Sequence, residues 1–420
     1  MSITKKVMPL ILLVLFMSAC ETERQRPIFE YAFNNPADVG SRYANLYQDN
    51  EGRIYMSWIM GIEEDINALQ FSTFYRNQWT MPQTVRVSTD FFVNWADFPS
   101  VVGMNGEVVA AHWLRKIEGG PYAYNVNLVF PGTDGQRWTD PVTPHLDGTA
   151  TEHGFVSLEP LAEDRVLAIW LDGRNTEGRE HHEYEDFSKA MTLRSAEVSA
   201  DGEITRKRVI DEAVCDCCQT DLVAVEGGFL AVYRDRTEEE IRDISIVRYD
   251  LATGEWSEPR PVWNDGWEIR ACPVNGPRID ARGERVAVAW FTMADDEENV
   301  LVALSADGGE TFDAPIRIAG ADALGRVDTF ISDEGSVFVS WLERRGDFAR
   351  VMIREIKPDG TLSLPIHAGT TEASRASGFP RMMQTDNQIF VVWTQTAPQL
   401  RVRTALVPLT DFVREEPEIS

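Results

Sequence analysis

The chain has 420 residues, with 67 acidic against 40 basic side chains, a formal net charge of −27, and only 6 histidines and 5 cysteines. Such acidity excludes a nucleic-acid partner, since phosphate binding needs cations that displace counterions, and it repels the chain from anionic membrane surfaces. The length admits one large all-β domain or two ordinary ones.

At the N-terminus, Lys5 and Lys6 precede an apolar run from Met8 to Met17 that is too short to span a bilayer. Met17-Ser18-Ala19-Cys20 then resembles the lipobox of bacterial lipoproteins. The resemblance implies that residues 1–20 are a signal peptide and that Cys20 is lipidated. Glu21, not Asp, follows, which under an enteric-type sorting rule points to the outer membrane. The expectation is a membrane-anchored lipoprotein, periplasm-facing or surface-exposed, touching the membrane through its lipid only. Loss of Lys5 and Lys6 takes the charge from −27 to −29.

Beyond the leader, an apolar strand pair ending in an aromatic recurs seven times. Its copies end at Trp58, Trp113, Trp170, Tyr233, Trp290, Trp341 and Trp393, 51 to 63 residues apart. Between them lies a second strand pair with a turn and a proline, as in NQWTMP (Pro82), GQRWTDP (Pro141), GEWSEP (Pro259), GETFDAP (Pro315) and GTLSLP (Pro365). About four short strands per repeat, with turn signals, predict a single all-β β-propeller of four-stranded blades over residues 21–412. Seven blades are expected, six being the alternative, and an acidic tail occupies 413–420. The stretch Pro27–Phe33 is expected to supply the outer strand of the last blade, closing the ring and removing its edges.

Ser305-Ala306-Asp307-Gly308-Gly309-Glu310-Thr311-Phe312 matches the Asp-box of the sialidase-like BNR-repeat propellers. Asp307 is suited to cap backbone donors in a tight turn whose glycines tolerate positive φ. With the periodic copies, the resemblance covers nearly the whole mature chain. It implies a sialidase-like fold and a glycan ligand, and an exo-acting glycoside hydrolase is one form that function could take. The family's arginine motif is missing where Arg42 stands, and no Tyr/Glu nucleophile pair matches, so no catalytic residue is carried over.

In a propeller, the start of each innermost strand and the end of each second strand reach one face. This brings Arg42, Tyr43, Asp97, Glu152, His153, Arg326 and Arg375 together with Asp172, Arg174, Arg234, Arg236 and Glu343. Arginine forks match carboxylates, so Arg42, Arg174, Arg234, Arg236, Arg326 and Arg375 are candidate ligands for an anionic or modified glycan; internal pairing that ties loops between blades is the competing reading. Asp172, Asp235, Glu343 and Tyr233 are the catalytic candidates, because a glycosidase needs two carboxyls, or a tyrosine and a carboxyl, around one sugar.

Cys215, Cys217 and Cys218 begin the fourth blade and Cys272 the fifth. A disulfide from Cys272 to one of the three is one reading. A thiolate site for copper or zinc, closed by His153 or by His181 and His182, is the other. That second reading makes the chain a non-catalytic metal-binding or assembly lipoprotein, with a protein partner at its rim a third option.

Overall fold

The computed structural model describes residues 31–132, 137–179 and 187–414. The leader with Cys20, the loop carrying His181 and His182, and the tail beyond 414 lie outside the described residues. The chain forms seven antiparallel sheets arranged as a seven-bladed β-propeller. Among the described residues no helix is long and apolar enough to cross a membrane.

Each predicted aromatic lies in the second strand of its own blade: Trp58 in Ile54–Gly61, Trp113 in Glu107–Lys116, Trp170 in Arg165–Asp172 and Tyr233 in Gly228–Arg234. Trp290, Trp341 and Trp393 follow in Arg285–Thr292, Val337–Arg345 and Gln388–Gln395. These strands are buried on both faces, so they read as continuous apolar runs, and the aromatics fill the clefts between blades. The prolines stand just before the outer strands Gln83–Ser88, Arg260–Trp263, Ile316–Ala319 and Ile366–Glu372. There a missing N–H costs nothing, because the edge has no further strand to pair. In the second blade the outer position is reduced to a bridge between Leu128 and Val142, so its sheet has three full strands.

Ring closure uses Ala32–Phe33, which pairs with Ala405 and Thr404 as the outermost strand of the seventh blade. The Asp-box turn follows its chemistry: Asp307 accepts from the Thr311 amide at 2.9 Å and hydroxyl at 2.6 Å, while Ser305 Oγ donates to it at 2.7 Å. Those donors, Thr311 first, hold Asp307 below the usual carboxylate range. Gly309 has a φ of 85°, and a Cβ there would press on Leu230 at 3.0 Å.

Around the central channel, a cavity of about 250 Å³, carboxylates in or just before the inner strands stitch four of the blades to the next. Asp97 Oδ1 accepts from the Phe155 amide at 2.9 Å, Asp221 from Ile279 at 2.8 Å, Asp280 from Ile331 at 2.6 Å and Asp328 from Met382 at 2.7 Å. Each bond satisfies an inner-strand donor that has no partner within its own blade.

Glu159 faces the same channel and takes a hydrogen bond from Tyr47 at 3.0 Å. Burial pushes its carboxyl up to about 8; the Tyr47 bond opposes this, and Asp221 and Asp280 add to it. Folded protein therefore keeps a proton that the unfolded chain releases above its ordinary value of 4.5, so stability falls as pH rises from there towards 8. Melting temperature measured across this range should decline less steeply in Glu159→Gln. Parallel profiles for the two proteins would refute this assignment.

Candidate functional site: an arginine–aromatic mouth

The expected convergence of blade starts on one face is present. Gln219 Nε2 donates to the Ala96 carbonyl at 2.7 Å, Gly276 N donates to Gln219 Oε1 at 3.0 Å, and Arg326 N donates to Asn275 Oδ1 at 2.7 Å. Tyr43 N closes the circle on Thr394 Oγ1 at 2.8 Å. Three of these approaches carry a β-bulge at the same place, with Tyr43, Phe155 and Arg326 at φ of 53°, 53° and 55°. Left-handed backbone at non-glycine residues is held only where surrounding contacts enforce it, and bulges re-aim side chains. Gly378, at φ 62°, lets its turn approach the Tyr43 ring; a Cβ there would come within 3.2 Å.

The candidate arginines divide by what they touch. Arg234 is buried and gives its N–H groups to the carbonyls of Asn275, Phe291 and Arg242 at 2.6–3.0 Å, with its guanidinium 4.9 Å from the Trp267 ring centre. Arg236 is buried in a fork on Glu240 at 2.7–3.2 Å. Arg174 clasps Asp172 at 2.7 Å through two nitrogens and reaches Asp147 at 3.3 Å. These three join blades and loops: Arg234 is spent on protein carbonyls, and Arg174 and Arg236 on protein carboxylates.

Arg42, Arg326 and Arg375 differ. Arg42 donates to the neutral Asn67 amide oxygen at 3.0 Å. Arg326 is 8% exposed and bonds the carbonyls of Ser374 and Gly378 at 2.9 and 3.1 Å. Its guanidinium lies 4.9 Å from the centre of the Trp95 ring, and that of exposed Arg375 lies 6.0 Å from the same ring. Phe379 stacks beside Trp95 at 5.9 Å and 15°. Among the described residues no carboxylate pairs with any of the three. Burial, and then repulsion from Arg375, pulls Arg326 down to about 10. Two like charges thus share one aromatic platform without a counter-ion from the described residues.

The catalytic candidates are also placed differently from expectation. Tyr233 is buried in the core between blades, its hydroxyl on Asp211 at 2.6 Å, so no nucleophile is offered there. Asp172 is fully buried under Arg174 and the Trp170 indole. Glu343 pairs with Arg345 at 2.7 Å. Asp235 caps the Arg236 amide at 2.7 Å and accepts from Ser245 at 3.1 Å; burial, then Asp211, raises it to about 6. The carboxyl pair at the mouth is instead Asp97 and Glu152, bridged by the Tyr124 hydroxyl at 3.2 and 2.6 Å. Burial lifts Asp97 to about 7 and Glu152 to about 8, with Asp97 and Asp216 adding to the push on Glu152. Such a pair can hold or release a proton near neutral pH.

His153 does not join the cysteines. Its ring stacks on His145 at 3.8 Å and 1°, with Nε2 3.1 Å from Asp147 and 3.7 Å from Asp172. His145 Nε2 accepts the Val126 amide at 3.1 Å, and Arg174 already supplies this cluster's cation. The cysteine run, for its part, is a turn and not the start of a strand: the inner strand begins at Asp221. Alternation across a strand therefore does not separate Cys217 from Cys218. Among the described residues the cysteines form no disulfide.

Trp95, Phe379, Tyr124, His145, Asp147, Arg242 and Glu240 were not selected from sequence. Trp95 stands 18 residues before Trp113, the same repeat position that Cys215 holds before Tyr233, which is the signal that could have found it.

Fold and site together define a seven-bladed propeller with an arginine–aromatic mouth. No family model matches the chain, and no curated protein matches it. Among solved structures it is similar to a protein of unknown function from Dyadobacter fermentans, with 12% identity, 90% of this chain and 97% of that one covered, and a TM-score of 0.48. It is also similar to a point mutant of the NanB sialidase from Streptococcus pneumoniae, with 11% identity, coverage of 91% and 71%, and a TM-score of 0.43. The polysaccharide lyase Uly1 shares 10% identity over 93% of this chain and 94% of its own, with a TM-score of 0.47.

Proposed function

We propose that this chain is a lipid-anchored extracytoplasmic propeller that binds an acidic glycan at the mouth formed by Arg326, Arg375 and Trp95. One observation carries the reading. A chain of net charge −27 places two guanidinium groups over one tryptophan, and among the described residues neither meets a carboxylate. A ligand carboxylate or sulfate would relieve their repulsion and accept their forks. An aromatic platform adds apolar contact with low conformational cost, which suits the carbon face of a sugar ring. The lipobox resemblance of residues 17–20 supports the anchor.

The test is binding of the purified protein to a panel of sialylated, uronic-acid and sulfated oligosaccharides beside neutral ones, at two salt concentrations. Retention of acidic members that weakens with salt is expected. Silence across the panel, or preference for neutral sugars, would sink the reading.

Hydrolysis of that glycan is a second reading, favoured by Asp97 and Glu152, whose raised carboxyls share the Tyr124 hydroxyl. It predicts release of a terminal acidic sugar by wild type and at least a hundredfold slower release by Glu152→Gln, as expected when a general acid is removed. Binding without release leaves the chain a lectin-like protein.

A further inference from the structure

The turn that opens the fourth blade places three sulfurs in one another's reach. The ligand atoms of Cys215, Cys217 and Cys218 all lie within 4.8 Å of one another, and Cys215 Sγ is 3.0 Å from Cys218 Sγ. The Cys217 thiol interacts with both, and with that of Cys272 from the approach to the fifth blade. The turn is held on each side: Cys215 N donates to the Arg234 carbonyl at 3.0 Å, and Asp216 accepts from Met191 N at 3.3 Å and forms an ion pair with Arg179 at 2.6 Å. Gln219 then anchors its exit to Ala96 and Gly276. A thiol triangle this constrained is organised before any ligand arrives.

Arg242 points a guanidinium N–H at Cys215 Sγ, 3.5 Å away, while its other arm is fixed on Glu240 at 2.7 Å. A cationic donor aimed at sulfur stabilises a thiolate, whereas a disulfide sulfur carries no charge to meet it.

We propose that Cys215, Cys217 and Cys218 form a thiolate cradle for a soft d10 cation, Cu(I) or Zn(II), with Cys272 as the fourth ligand. Tetrahedral zinc with sulfur at about 2.3 Å sets sulfur–sulfur edges of about 3.8 Å, inside the span of the cluster. The Cys215–Cys218 pair must open somewhat to reach that edge. Thiolate ligands select these cations over hard ones. Arg242 then acts as the outer-shell donor that offsets thiolate charge. This inference goes beyond glycan binding and does not depend on it, although Cys217 packs in the same cluster as Trp95 and Phe379.

The four thiols admit a rival pairing, Cys215 with Cys218 and Cys217 with Cys272, so the experiment must separate the two. Full-length protein is purified anaerobically with reductant, loaded with Cu(I) or Zn(II) in parallel, and dialysed against a competing chelator. Metal is counted by mass spectrometry, and sulfur ligation is read by X-ray absorption. We expect one equivalent bound through sulfur, and at least tenfold less retained by Cys215→Ser and by Cys218→Ser. Cys272→Ser should lose zinc but keep Cu(I), which is content with three thiolates. Thermal melts serve as the folding control: metal should raise the melting temperature of wild type and not that of Cys218→Ser. Metal retention equal to that of a quadruple serine variant overturns the proposal. So does peptide mapping of cell-matured protein that finds both disulfides in the whole population.

Discussion

Arg375→Ala should lose roughly 10- to 150-fold in affinity for an acidic oligosaccharide, the range that a charge-assisted hydrogen bond of about 1.5–3 kcal/mol implies. Arg375 is exposed, so its removal should leave the melting temperature unchanged. Arg326 lies beneath it and also holds the Ser374 and Gly378 carbonyls. Arg326→Ala should therefore weaken binding and loosen that turn together, while Arg326→Lys keeps the charge but not the fork. The order of affinities expected from titration calorimetry is wild type, then Arg326→Lys, then Arg326→Ala. An Arg375→Ala protein that binds like wild type would remove the mouth from the ligand's path.

The second large effect belongs to the channel. Asp328 accepts from the Met382 amide at 2.7 Å and from Arg278 Nε at 2.8 Å, with Arg381 4.0 Å away. Asp328→Ala leaves an inner-strand amide and two guanidinium groups short of an acceptor at the junction of blades five, six and seven. Breaking a buried charge pair from one side costs about 3–5 kcal/mol. Arg278 keeps Asp221 at 2.9 Å, which places the expectation at the lower end. Asp328→Asn preserves an oxygen for the amide and should recover part of the loss. Equilibrium urea unfolding measures both. A loss under about 1 kcal/mol for the alanine variant would mean that the stitching is dispensable.

Much of this fold is legible in the chain because propeller blades bury the second strand on both faces. That demand writes apolar runs ending at Trp58, Trp113 and their counterparts, and it puts prolines where an edge strand can spare a donor. The Asp-box is legible for the same kind of reason, since a tight turn needs Asp307 and its glycines. Membership of the mouth follows from topology, so Arg326, Arg375, Glu152 and Cys217 could be gathered from sequence.

What each group does there depends on partners from other blades. Arg174 is tied partly by Asp147, from the loop before the third blade, and Arg234 by carbonyls of the fifth. Neither partner is marked by spacing. His153 was grouped with the cysteines because both open inner strands, yet its partner His145 comes from an irregular loop that no repeat position announces. Trp95 was hidden in the same way, in an approach segment without period-2 alternation. The three cysteines sit on a turn, where sequence proximity becomes spatial convergence and strand rules do not apply.

The most direct test of the central claim is a paired titration. One acidic oligosaccharide and its carboxyl-reduced counterpart, the same sugar with an alcohol in place of the carboxylate, are measured against wild type under identical salt. The arginine–aromatic mouth predicts at least tenfold tighter binding of the acid, with the difference vanishing in an Arg326→Ala/Arg375→Ala double variant. Equal affinity for the two sugars in wild type, or a preference for the acid that survives in the double variant, would contradict it.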